Sequence, residues 1–153
     1  MINVPLLMRR LTVLFWQLAA PAVVLLVVGS LVRRLYGPLA LPAGGPQPWG
    51  TAALVLAVAC GVAVPILIRT LFNQRAVQDK RADPAAFRRY QARLVAVPLL
   101  AAYVAAAASL FALGRLHIYG SVLAALYGAY SAYPVQRKLI GEMRYYGLKA
   151  ETK

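Results

Sequence analysis

The sequence predicts an all-α polytopic membrane protein: a four-transmembrane-helix bundle of two antiparallel hairpins. Three observations predict it. Of the 153 residues, 61% are apolar and only 14% charged, whereas a soluble domain carries about 25% charged and about 45–50% apolar residues. The apolar residues gather into four runs near the length of about 20 residues with which a helix crosses a bilayer. The net charge of +13 flanks those runs. It is not interleaved with aromatics on a soluble face, so it reads as an orientation signal and an attraction to anionic headgroups. Nucleic acid is thereby disfavoured as a partner. A chain of this length has room for one domain, so residues 1–153 are read as a single membrane domain.

The first span is placed at residues 11–32. Arg9 and Arg10 precede it, as in a signal peptide, but the apolar run exceeds the usual signal core of about 7–15 residues. No small-x-small cleavage site follows. A retained helix is expected, with Trp16 at one interface. Residues 33–49 hold four prolines and three glycines, which fix φ, remove donors and supply turns, so a loop is expected there. Trp49 marks the opposite interface.

The second span is residues 50–68. Ala53, Ala57 and Gly61 recur every fourth residue on one face, a spacing that lets helix backbones approach closely. The connector, residues 69–93, carries seven of the seventeen Lys and Arg. Within it Asp83-Pro84 reads as a helix start, since Asp caps free amides and Pro at the first position loses no needed bond. That helix is expected to run unbroken into the third span, residues 94–114, which is alanine-rich nearly all round and suits the bundle interior.

A very short turn at residues 114–116 makes the third and fourth spans antiparallel neighbours. The fourth span, residues 117–135, has two faces. Tyr119, Tyr127, Tyr130 and Tyr133 fall within an arc of about 120° at the helical period. Gly120, Ser121, Ala124, Ala125, Gly128 and Ala132 occupy the other side. The tail, residues 136–153, is basic, and an interfacial helix carrying Leu139, Met143 and Tyr146 on one side is expected. Arg88, Arg89, Arg93, Arg137 and Lys138 are the candidates for anionic lipid headgroups.

Orientation follows from the cations. Two precede the first span, seven lie in the connector and five in the tail, against Arg33, Arg34 and Arg115 on the other side. The positive-inside rule then places both termini and the connector in the cytoplasm, in a multi-pass protein of the inner (cytoplasmic) cell membrane.

Catalytic chemistry finds little to work with. The four acidic residues, Asp79, Asp83, Glu142 and Glu151, all lie outside the spans, so no carboxylate is placed in the membrane to carry a proton. His117 and Cys60 are each the only residue of their type, too few for a metal or haem site and placed at different depths, so no metal or other cofactor is expected. Each span holds one proline: Pro21, Pro65, Pro98 and Pro134. Each leaves the carbonyl four residues earlier without its bond, on Gln17, Gly61, Leu94 and Tyr130. These prolines are read either as packing bends or as the makings of a cytoplasm-facing vestibule. The vestibule residues are Gln17, Pro21, Gly61, Pro65, Tyr127, Tyr130 and Pro134, with Tyr127 and Tyr130 deep enough to seek partners on another helix.

Three functions are carried forward. The first is a non-catalytic membrane subunit that assembles as a homo-oligomer or with a larger membrane complex through its small-residue faces (Ala53, Ala57 and Gly61; Gly120, Ala124 and Gly128). The second is a small oligomeric transporter or channel using the vestibule. The third is a lipid-handling enzyme, for which only Asp79, Asp83 and Glu142 offer acids near the membrane plane.

Overall fold

The computed structural model describes residues 2–37, 46–78, 83–111, 113–148 and 150–151. Helix α1 (Val4–Tyr36) starts where Asn3 Oδ1 accepts the Leu6 amide at 3.0 Å, satisfying one of the free N–H groups of the first turn. It ends at Gly37, whose φ of 83° suits only a residue without a side chain. At 33 residues it measures about 50 Å. The helix therefore outruns the expected 11–32 span at both ends, carrying Arg9 and Arg10 on its early turns and Arg33 and Arg34 on its last.

Helix α2 (Pro46–Val58), a π-helical turn (Ala59–Ala63) and helix α3 (Val64–Gln78) form one continuous rod. In the π-turn the Val64 amide reaches back five residues to the Ala59 carbonyl. Pro65 explains its position. The ring removes the amide that would bond Gly61 and crowds that carbonyl, and a widened turn accommodates both. The rod does not end at residue 68 as expected but continues as helix through the first basic residues of the connector. Residues 79–82, including Asp79, lie outside the described residues.

Asp83 caps helix α4 (Pro84–Leu110), its carboxylate accepting the Ala85 and Ala86 amides at 3.3 and 3.1 Å. This helix runs through Pro98 without a break, as the Asp-Pro start implied, and stops four residues short of the expected 114. Helix α5 (Arg115–Ala132) follows the turn and is shorter than the expected 117–135 span. Pro134 lies beyond its end, because a proline drives the preceding residue out of the helical region, and Tyr133 is extended at ψ 123°. Pro134 is therefore not an intrahelical kink, and its missing N–H frees no carbonyl within α5. Helix α6 (Gln136–Tyr145) continues toward the end where α4 begins, with Glu142 beside Gln91 and Tyr146 beside Phe87, and a short parallel pairing of β1 (Ile2–Asn3) with β2 (Ala150–Glu151) ties the two chain ends together.

Helix α4 is the centre. Half of its apolar span is buried, against 17% for α1 and 11% for the α2–α3 rod. The close approaches fix the directions of its neighbours. Tyr103 donates to the Leu18 carbonyl at 2.8 Å and Gly29 faces Leu110, so α1 runs parallel to α4. Gly128 faces Pro98, and Gly61 lies against both Ala124 and Ala101, so α5 is antiparallel to α4. Leu54 meets Gly120 and Gly61 meets Ala124, which sets the rod parallel to α5. One core cluster lies among these small residues: Ala57, Ala101, Ala105, Ala124 and Ala125.

The second cluster gathers the chain's N-terminus, the start of α4 and the tail at one end: Val4, Leu7, Phe87, Tyr90, Leu139 and Met143. Leu139 and Met143 are 4% and 0% exposed, so the apolar side of α6 is spent on the protein's own helices rather than on a lipid surface. Phe72 stacks on Tyr90 with ring centroids 4.1 Å apart and meets Tyr146 edge-on at 5.0 Å. Three helical stretches (Val4–Tyr36, Pro48–Val77 and Pro84–Leu110) are long and apolar enough to cross a membrane. The chain is accordingly a helical, multi-pass membrane protein in its composition and element lengths.

Candidate ligand groove

The π-turn, α5 and the start of α6 enclose a groove of about 590 Å³. Its upper wall is Gly61, Val62, Pro65 and Ile66 from the rod, facing Tyr127, Tyr130 and Ser131 from α5. Phe15 of α1 and Leu94 of α4 form the floor, both buried. Arg69 and Lys138 stand together at the end nearest the tail. The local sequence explains the opening. Gly61 has no side chain and comes close enough to α5 that a Cβ there would lie 2.7 Å from the Ala124 carbonyl oxygen. From that contact Pro65 and the widened turn carry the rod onward, and beyond Ala132 the Pro134 break takes the chain out of α5. Two residues whose carbonyls lose a helical partner to a downstream proline, Gly61 and Leu94, both line the groove.

The cationic end is tied into a polar junction. Glu142 of α6 accepts a hydrogen bond from the amide of buried Gln91, and its other oxygen lies 4.0 Å from Arg69 Nη2. The Lys138 ammonium donates to the Ser131 carbonyl at 3.3 Å. Burial and the neighbouring Arg69 charge pull the Lys138 pKa below its usual value, partly offset by Glu142. Tyr146, hydrogen-bonded to Tyr90, has its phenol pKa raised, chiefly by burial. Arg69 borders the groove on one side and the Glu142–Tyr146 surface on the other, so it is the hinge between apolar groove and polar junction.

The sequence-based candidates divide. Gly61, Pro65, Tyr127 and Tyr130 come together in the groove. Gln17 and Pro21 do not join them: both are exposed on α1. Pro134 borders only a neighbouring space of about 30 Å³, beside Arg69 and Gln91. The phenols face outward, with Tyr127 53% and Tyr130 84% exposed, and the interhelical phenol bond falls instead to Tyr103. The small residues Ala57, Gly61, Gly120, Ala124 and Gly128 sit between helices of the same chain, and Ala53 is half-buried on the same rod. Arg89 and Arg93 line a separate basic cavity of about 360 Å³ with Arg75, whereas Arg88 and Arg137 are exposed outside it. Phe15, Arg69 and Ser131 were not anticipated. Arg69 had a usable signal, a single cation at the end of an apolar run; the other two had none.

Elsewhere, His117 Nε2 lies 3.5 Å from Thr51 Oγ1 at the opposite end of the bundle, and Cys60 is a free thiol within the π-turn. Among the described residues no three His, Cys, Asp or Glu side chains converge. No known protein family matches this chain, and no curated protein or solved structure matches it.

Proposed function

We propose that the chain is a non-catalytic, four-span protein of a cell membrane, both termini cytoplasmic, that admits a ligand into its inner half as a small transporter or channel. Helix α5 serves as the fourth span. Its 18 residues cover about 27 Å, close to the roughly 30 Å of a hydrocarbon core. The cation bias puts the Arg69–Lys138 end in the cytoplasm.

One observation supports the ligand reading above the others. Gly61, Pro65, Tyr127 and Tyr130, spread over two helices, border a single groove at an interruption of the helical ladder. Such interruptions line substrate sites in transporters, where non-helical backbone is tolerated against a cavity. The assembly reading rested on two small-residue faces, and contacts within the chain occupy both. The enzymatic reading has less to draw on. Asp83 is committed to capping α4, Glu142 is held by Gln91 and Arg69, and Asp79 lies outside the described residues.

Proteoliposomes loaded with carboxyfluorescein test the reading. The wild-type protein should release the dye above protein-free vesicles. A Tyr127→Ala/Tyr130→Ala variant should lose that release while keeping its oligomeric state, and Gln17→Ala should behave as wild type. Release equal to that of empty vesicles, or a change of assembly in the double variant, would return the groove to a packing role.

A further inference from the structure

The groove's polarity is divided along its length. Its walls from Gly61 to Ile66 are apolar, and both of its cations, Arg69 and Lys138, stand at one end. The eight residues from Gly61 to Arg69 rise about 12 Å, close to half of the roughly 30 Å core of a bilayer. Since 50–68 is the apolar run, Gly61 lies near its middle and Arg69 just past its end. The groove thus covers the depth of one leaflet. It is also open sideways, with Ile66 59% and Tyr130 84% exposed on its flanks, so an acyl chain enters from the bilayer without crossing a polar barrier.

The charge at the end is not balanced. Glu142 is the one carboxylate beside the two cations among the described residues. It stands across Arg69 from the groove at 4.0 Å and already accepts the Gln91 amide. No carboxylate lines the groove itself. Two like charges side by side repel each other, and an anion placed between them removes that repulsion and supplies charge-assisted hydrogen bonds. A small free anion leaves the apolar walls without an occupant. A zwitterionic headgroup brings its own cation against Arg69.

We propose that the groove binds an anionic phospholipid of the adjoining leaflet, with one acyl chain between the rod and α5 and the phosphate against Arg69 and Lys138. The volume of about 590 Å³ is that of a site for one drug-sized ligand, roughly 300–1,000 Å³. It therefore suits one chain and a headgroup rather than a whole two-chain lipid. This assignment rests on the groove being a ligand site and adds the class of ligand. Glu142 then acts as the internal competitor for Arg69.

Native mass spectrometry from nanodiscs of equal phosphatidylglycerol and phosphatidylcholine tests it. The wild type should retain phosphatidylglycerol at least tenfold over phosphatidylcholine, one molecule per chain. Arg69→Gln/Lys138→Gln should bring the ratio close to one. Glu142→Gln keeps an acceptor for Gln91 while releasing Arg69, and should raise retention of phosphatidylglycerol. Ile66→Trp, on a lipid-exposed position that tolerates an apolar side chain, should fill the groove and lower retention of any lipid. Equal retention of the two lipids by the wild type overturns the anionic assignment, as does a preference that survives loss of both cations. Displacement of the lipid by millimolar inorganic phosphate would make this a free-anion site instead. If Ile66→Trp changes nothing, the groove is no ligand site and the functional reading beneath falls with it. Retention sensitive to Ile66→Trp but blind to the charge variants removes only the lipid's anionic class.

Discussion

At the scale of single residues, backbone approach governs this fold more than side-chain bulk. A Cβ on Gly128 would lie 2.7 Å from the Pro98 carbonyl oxygen, closer than any relaxed contact, and backbone on both sides gives neither helix a flexible group to move. Gly128→Ala should therefore destabilise by about 1–3 kcal/mol, the usual cost of overpacking. Gly141 is the internal control. It lies in α6 with nothing within 4 Å of a built Cβ, and Gly→Ala in a helix interior gains about 0.5–1 kcal/mol. Thermal unfolding in detergent should move the two variants in opposite directions; equal shifts would mean that α5 and α4 are less closely packed than described. The small-residue face of α5 could be read from the sequence because the helical period sorts it by arithmetic. Which side the phenols would occupy could not, since an outward tyrosine and one bonded across helices leave the same pattern. Tyr103 shows the gap. It makes the interhelical bond to Leu18, yet nothing in its alanine-rich surroundings distinguishes it from an interfacial tyrosine.

At the scale of elements, starts were more legible than ends. Asp83-Pro84 combines a side chain that accepts free amides with a residue that needs none, and α4 begins there. Pro134 was ambiguous, because a proline in an apolar run either kinks a helix or ends it. The deciding factor is whether neighbours hold the far side in place, which is a tertiary fact. The π-turn was invisible for a related reason: Pro65 removes a bond in any helix, but only the Gly61–Ala124 contact and the onward path of α3 make a widened turn the way to absorb that loss. Pro65→Ala tests this account. Restoring the amide lets it bond Gly61, and Ala is favoured over Pro by about 3 kcal/mol in a helix interior. The variant should melt at a higher temperature and bind less ligand, as the rod closes into a regular helix. A lower melting temperature would show that packing on α5, not the proline, sets the turn. The tail teaches the same lesson: its apolar side was plain in the sequence, but a lipid surface and the end of a helix bundle make the same demand on it, and α6 took the bundle.

At the scale of the whole molecule, the pairing of β1 with β2 and the shared core of Val4, Phe87 and Met143 bring the N-terminus, the connector and the tail to one end. The cations concentrate at that end. Three apolar helical stretches and a shorter fourth helix beside them leave one question of topology, whether α5 crosses. An odd number of crossings would separate the chain's ends by a membrane, which the β1–β2 pairing forbids if both strands form in the bilayer-embedded protein. Four crossings satisfy the pairing and the positive-inside bias together. The predicted labelling pattern is therefore specific. With Cys60 replaced by alanine, single cysteines at Tyr36 and Leu116, 84% and 76% exposed, should react with a membrane-impermeant maleimide added outside intact cells. Cysteines at Val77 and Tyr145, 69% and 71% exposed, should react only after permeabilisation. If Tyr145 labels from the same side as Leu116, α5 is a re-entrant helix packed on α4. Tyr36 resolves the remaining case, because α1 crosses in either arrangement and its far end reports which side is outside.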